Sequence, residues 1–278
     1  MFLTGQGKCF GSIGGGAVEQ ELLRMAGKQM ADNRINPQLI RRRHQPEAAS
    51  EASGMICGGE QTVLLYICQR RDKALFQQIA ADPVGLLMIS PAGLQWRRDI
   101  KSAAPHQFSY QSDADWCYRE NLAGQCQVYI VGGGHVSLAL SKILAMLDFD
   151  ITVIDERDNP DTLARNRYAQ TKRIIPYREI GRIIPEGDQV FVFIMTHSHK
   201  TDEQVVEQLA DKRLRYLGVL GSKNKIEQLK INLAPRLSVA SLQRIRGPIG
   251  LPINSHTPAE IAVSIAAELI QILNTQPR

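Results

Sequence analysis

The amino-acid sequence predicts an α/β protein. Its C-terminal half reads as a parallel sheet with helices on both faces, and a smaller α/β (α+β) domain precedes it. Three observations carry this expectation. From residue 125 onward, short apolar strands alternate with helical patterns. Those strands are apolar almost without interruption, as strands covered on both faces are. The chain has 278 residues, against ~150 for a typical domain, so two domains are expected. Apolar residues at 44% and charged residues at 22% are ordinary globular usage and exclude a disordered or collagen-like chain.

The N-terminal domain is assigned to residues 1–98. Residues 9–16 are glycine-dense and lead into a helix near 17–31, with Val18, Leu22, Met25 and Ala26 on one face. Residues 62–68 form a buried-strand run and 73–81 a helix. Runs at 86–89 and 94–97 flank Ser90-Pro91-Ala92-Gly93, which is hairpin chemistry. Residues 99–124 lack periodicity and are read as a connector.

The C-terminal domain is assigned to residues 125–278. Strands are expected at 127–131, 151–154, 189–195 and 216–220, and helices at 134–147, 200–212, 222–233 and 258–273. The last helix has a clear start: Thr257 as N-cap, Pro258 at its first position and Glu260 closing a capping box. The basic run Lys212-Arg213-Leu214-Arg215 falls at a helix end, where positive charge suits the dipole.

Charge and cysteine usage narrow the function. Lys plus Arg number 33 and Asp plus Glu 28, a net +5 spread along the chain. Nucleic-acid binding needs a concentrated basic stripe, and the one basic triplet, Arg41 to Arg43, suits a solvated strand end equally. The five cysteines, at 9, 57, 68, 117 and 126, are odd in number and contain no CxxC pair. Neither a disulfide framework nor a structural zinc site is supported, and a reducing, cytoplasmic location is expected. No apolar run approaches the ~20 residues of a membrane span, and the first residues show no signal-peptide pattern.

The strongest motif is Ile130-Val131-Gly132-Gly133-Gly134-His135-Val136-Ser137, a G-x-G-x-x-G pattern with Ser in the third glycine's place. It follows a strand and opens a helix, as a Rossmann-like turn does. A second strand ends at Asp155, 23 residues after Gly132, close to the ~20-residue offset at which a Rossmann acid meets a ribose hydroxyl. Gly132 permits the tight turn, Gly134 admits a pyrophosphate to the backbone, and Ser137 keeps helix and strand close. The alternative is the same fold without a nucleotide.

Further candidates sit at other strand ends. Thr196-His197-Ser198-His199-Lys200-Thr201-Asp202 follows a strand; His197, His199 and Asp202 could relay protons or bind a metal, or Thr201 or Asp202 could simply cap the next helix. Gly221 and Ser222 could form a second anion nest with Lys223 as counter-charge, or only cap a helix. Arg244 and Arg246 lie on a Gly/Pro-rich loop that suits an anion or is a plain turn before the last helix. In the N-terminal half, Gly11-Ser12-Ile13-Gly14-Gly15-Gly16 precedes Glu19 and invites close backbone approach of a ligand; it is not a Walker A loop. Cys57-Gly58-Gly59 presents a thiol beside two glycines, able to contact a soft metal, or to be an inert turn cysteine. Cys9, Cys68, Cys117 and Cys126 read as ordinary small apolar residues, with Cys117, in the connector, open to exposure.

Seven ordered stretches together resemble the XdhC/CoxI family, the xanthine dehydrogenase accessory proteins. They are Gly11 to Glu19, Cys57-Gly58-Gly59, Ile130 to Val136, Asp155-Glu156-Arg157, Thr196 to Asp202, Tyr216 to Ser222, and Arg246 to Ile253 with Thr257 to Ala262. The resemblance implies a cytoplasmic chaperone that binds molybdenum cofactor (molybdopterin), supports its sulfuration and delivers it to an apo molybdenum hydroxylase of the xanthine dehydrogenase type, with a cysteine desulfurase (sulfurase) as a further partner. It implies contact of Cys57 with the cofactor, including its molybdenum, and implies that Gly14, Gly15, Gly16, Glu19, Gly58, Gly59, Gly132, Gly133, Gly134, His135, Asp155, Gly221, Ser222 and Arg246 serve the binding loops. Family members carry a further N-terminal strand and loop before the segment that begins here at Met1. The chain is therefore expected to be N-terminally truncated, lacking an edge strand and part of the cofactor site. A homodimer would cover the resulting sheet edge.

Two other functions stay open. One is an NAD(P)-dependent oxidoreductase with Asp155 on the ribose and His197 or His199 as acid/base. The other is a regulatory Rossmann module that senses a nucleotide. No nucleophile with base and orienter is identifiable by spacing, so a chain without turnover of its own is favoured.

Overall fold

The computed structural model describes residues 1–32, 34–44, 59–98, 106–123, 126–158 and 160–275. The chain divides into two compact units, Met1–Gly124 and Gln125–Arg278.

In the first unit, β1 (Phe2–Leu3) pairs antiparallel with β2 (Cys9–Phe10). Helix α1 (Gly16–Ala31) buries Val18, Leu22, Ala26 and Gln29, the i, i+4, i+8 stripe of an amphipathic helix. Strand β3 (Gln38–His44) pairs antiparallel with β4 (Gly59–Leu65). After α2 (Lys73–Ala81) come β5 (Val84–Ser90) and β6 (Gly93–Arg97), whose Ser90 and Gly93 pair across the turn at Pro91-Ala92. Strands β7 (His106–Ser112) and β8 (Asp115–Ala123) complete an antiparallel sheet of order β6-β5-β8-β7. Most of the span expected to be a connector is therefore sheet. Its period-2 signal is faint because β7 is exposed along its whole length, so polar residues occupy both of its faces.

The second unit runs β9 (Gln127–Val131), α3 (His135–Ala145), β10 (Asp150–Asp155), α4 (Asp161–Ala164), β11 (Thr171–Ile174), α5 (Ile180–Ile183), β12 (Gly187–Ile194), α6 (His199–Leu209), β13 (Leu214–Val219), α7 (Lys223–Leu233), α8 (Val239–Arg244), β14 (Ile245–Arg246) and α9 (Pro258–Asn274). The sheet order is β11-β10-β9-β12-β13-β14, and every neighbouring pair is parallel. Side chains of β9 alternate between two apolar clusters: Val128 and Ile130 join Leu140, Leu144, Phe193 and Ile265, while Val131 joins Ile194, Val205, Leu209 and Val219. Each fully buried aliphatic side chain contributes about 1.5–3 kcal/mol. Covering both faces is what makes these strands apolar throughout. Ser198, Ser222, Ser238 and Thr257 accept from the first-turn N–H groups of α6, α7, α8 and α9. Among the described residues no helix is long and apolar enough to cross a membrane.

Candidate functional site

The order of connection reverses between β9 and β12, and open parallel sheets hold ligands in the crevice at such a point. Four strand ends meet around it: Gly132–Gly134 after β9, Asp155–Arg157 after β10, 195–202 after β12 and 220–225 after β13.

The three glycines of the first turn have three different physical reasons. Gly132 has φ +110, and a side chain there would collide with the carbonyl oxygen of Met195. Gly133 is crowded by Leu163 and the Asp155 carboxylate. At Gly134 an added Cβ meets nothing within 4 Å. Gly134 is the N-cap of α3 and supplies no side-chain cap. The first-turn amides of α3 thus face an open approach, the arrangement that binds anions. Ser137, in the same turn, is 1% exposed and its hydroxyl has no hydrogen-bond partner. The hydroxyl of Thr162 donates to the Gly133 carbonyl and fastens the turn to α4.

Asp155 lies at the expected strand end, but its carboxylate faces inward. Oδ2 accepts from Gly133 N–H at 2.6 Å and from Arg157 Nη2 at 2.7 Å. Oδ1 accepts from the Arg157 main-chain N–H and Nε, both at 2.9 Å. Asp155 is 0% exposed. Burial pushes its pKa up, but the hydrogen bonds from Arg157 and Gly133 outweigh this and hold it below the ordinary carboxylate range. With four donors its acceptor capacity is filled, so it offers no free lone pair to a ribose hydroxyl. In this structure the expected ribose acceptor is a clamp on its own turn.

In the 196–202 loop the histidines and the aspartate part company. His197 and His199 are exposed. Asp202 is fully buried: Oδ1 accepts from the Thr196 N–H at 3.1 Å and hydroxyl at 2.6 Å, and Oδ2 pairs with Lys225 Nζ at 2.5 Å. Ser198, rather than Thr201 or Asp202, caps α6. No group of three or more His, Cys, Asp or Glu side chains fit for a metal occurs among the described residues. Lys225 also donates to the Leu220 carbonyl at 2.8 Å, and a side chain on Gly221 would collide with its stem. Gly221 therefore makes room for a lysine, and Ser222 caps α7 through Lys225 N–H at 3.3 Å. Lys225, not Lys223, is the cation held at this end, and sequence reading missed it. Its signal is the four-residue offset from Gly221 on the first turn of α7. Arg246 is exposed at the end of β14. The loop behind it is tied to α9 by Glu268, whose carboxylate accepts from Gly250 N–H and Tyr216 hydroxyl, both at 2.7 Å.

In the first unit Gly14, Gly15 and Gly16 have φ +115, +75 and +70, and a Cβ at any of them meets nothing within 4 Å. Backbone conformation, not crowding, requires glycine there. Glu19 reaches back from α1 and accepts from the Ser12 hydroxyl at 2.7 Å, Ile13 N–H at 3.0 Å and Gly15 N–H at 3.2 Å. The bond from Ser12 and those from the two amides lower its pKa. Cys57 and Gly58 lie outside the described residues, and Gly59 opens β4. Cys9, in the two-residue strand β2, and Cys68, in the irregular segment after β4, are exposed, which corrects their reading as apolar filler.

Sheet order, glycine turn and carboxyl-end crevice define a Rossmann-type protein. Residues 128–269 match the family model described as XdhC Rossmann domain, just over half of the chain, and the chain belongs to the XdhC family. It is similar to "Uncharacterized protein YqeB" of Escherichia coli K12, with 22% identity over 284 aligned residues, covering 100% of this chain and 41% of that protein. It is also similar to a probable xanthine dehydrogenase subunit of Bacillus subtilis 168, with 27% identity over 150 residues, 52% of this chain and 42% of that protein. The chain spans about two fifths of the length of these curated relatives. The crystal structure of a xanthine dehydrogenase from Bacillus halodurans shares the fold, with a TM-score of 0.77, 22% identity, and coverage of 99% of this chain and 86% of that one.

Proposed function

We propose that this chain is an accessory protein of xanthine-dehydrogenase-type molybdenum hydroxylases, which holds the molybdenum cofactor, supports its sulfuration and delivers it to the apo-enzyme. The observation that carries the reading is the open first turn of α3. Its amides lie at the topological switch point, and Gly134 leaves free space above them. That donor set suits a phosphate, and molybdopterin carries one; when bound, the group supplies the molybdenum–sulfur chemistry. Gly134, His135 and the first-turn amides would hold the phosphate. The Asp155–Arg157 clamp would keep the turn in shape, and the family resemblance gives Cys57 the contact with the sulfur-rich end. The Bacillus subtilis relative, named as a probable xanthine dehydrogenase component, supports a hydroxylase partner; a sulfurase partner and a homodimer belong to the same proposal. The oxidoreductase alternative draws no support from Asp155, whose lone pairs are all engaged.

The test is titration of the purified protein with molybdopterin and, separately, with NADH. Saturable pterin binding that weakens in Gly134→Val and is lost in Cys57→Ser supports the reading. Tight NADH binding with hydride transfer and no pterin affinity rejects it.

A further inference from the structure

The second unit has a concavity built from side chains, which meets the glycine turn only at His135, the first residue of α3. It is a cleft of about 470 Å³ between the outer face of α3, the loop after α4 and the start of α9. That volume lies within the ~300–1,000 Å³ of small-molecule sites. Its apolar floor is Leu138 and Ala139 of α3 with Pro258 of α9. Lys142, one helical turn further along α3, and Arg165 and Arg167 of the loop bring three cations to its walls, and no Asp or Glu lines it. Arg165 shares its charge with Asp161 at 3.0 Å. Lys142 and Arg167 have no carboxylate within 4.0 Å among the described residues.

The loop that carries the arginines is pinned in place. Asn166 is 1% exposed; its amide donates to Ser141 on α3 at 2.9 Å, and its oxygen accepts from Tyr168 and Ala169 N–H at 3.2 and 3.3 Å. The Arg167 guanidinium stands 5.4 Å from the centre of the Tyr168 ring, and that ring is part of the cleft wall. A buried amide thus fixes the turn whose outward side chains are cationic and aromatic. The start of α9 contributes no free charge of its own, because Thr257 and Glu260 already cap it.

We propose that this cleft binds an organic phosphate of mononucleotide size. The phosphate sits among Lys142, Arg165 and Arg167, whose planar forks and ammonium match its oxygens. The apolar body of the ligand lies on Leu138, Ala139 and Pro258 beside Tyr168. The cationic wall beside an apolar floor suits a small phosphate ester. The proposal does not rest on the accessory-protein reading above.

The test is calorimetric titration of the full chain with AMP, with inorganic phosphate and with a glutamate-rich peptide. AMP is expected to saturate one site per chain more tightly than inorganic phosphate. Arg167→Ala and Lys142→Glu, both at exposed positions, are each expected to weaken AMP about tenfold or more, one decade being ~1.4 kcal/mol, with unchanged melting. Equal affinity for AMP and phosphate would overturn the role of the apolar floor. Peptide binding without AMP binding would give the groove to a protein partner and overturn the proposal. So would AMP binding that survives both charge variants but disappears in Gly134→Val.

Discussion

The main-chain N–H of Gly133 donates to Oδ2 of Asp155 across 2.6 Å, and that bond ties the turn after β9 to the end of β10. Asp155→Ala leaves a buried amide unsatisfied and Arg157 without its partner. An unmet buried donor costs about 1–3 kcal/mol, and Arg157, 44% exposed, rehydrates in part. Asp155→Ala is expected to lower the denaturant midpoint accordingly without a change in slope. Arg157→Ala strands a buried carboxylate and should cost more; an equal or smaller loss would show that water already serves the acid.

The same clamp sets an acid limb. Asp155 has a folded pKa depressed below its unfolded value of about 3.9. The unfolded state therefore binds more protons in that window, and stability present above about pH 4 is lost as pH falls through the depressed value. Glu19 and Glu260 are lowered too and act in the same direction. Asp155→Asn should flatten the limb without abolishing it, as read from denaturant midpoints across an acid titration.

Two glycines of one turn should behave oppositely. Gly132→Ala combines a left-handed φ with a collision against Met195, and is expected to destabilise by at least about 2 kcal/mol. Gly134→Ala has ordinary extended backbone and empty space, so thermal melting should stay within about 1 °C of the parent, a shift smaller than 0.5 kcal/mol produces. A ligand whose binding is lost in Gly134→Ala, with melting unchanged, has the open turn as its seat.

Asp202 and Lys225 form a buried pair that bridges α6 and α7 at the crevice. Removing one partner of such a pair costs about 3–5 kcal/mol. Lys225 is 17% exposed, which places Asp202→Ala at the lower end. The double variant Asp202→Ala, Lys225→Met should recover part of the loss, and the coupling in that cycle is the measurement.

The C-terminal architecture was legible because periodicity and capping agree there. Apolar strands at 127–131 and 151–154, the Gly132 turn and the Thr257-Pro258-Glu260 start all report the same fold. The hairpin at 106–123 was harder, although Phe108 and Tyr110 alternate with polar residues and face Tyr118 and Trp116 across the register. The alternation spans only two aromatic residues, with His106 and Ser112 completing their face, so it is too short to stand out. For the site, glycine spacing located the turn, but no spacing rule shows which way a carboxylate points. Asp155 sits at the expected position and turns inward because Arg157, two residues on, folds back over it. Lys225, Lys142 and Arg167 were invisible as site residues because their meaning comes from elements distant in sequence.

Glu19 occupies the amides of Ile13 and Gly15, so the N-terminal glycine loop already contains its own counter-ion. Those two donors are engaged by the chain's own carboxylate and are not open to an outside anion.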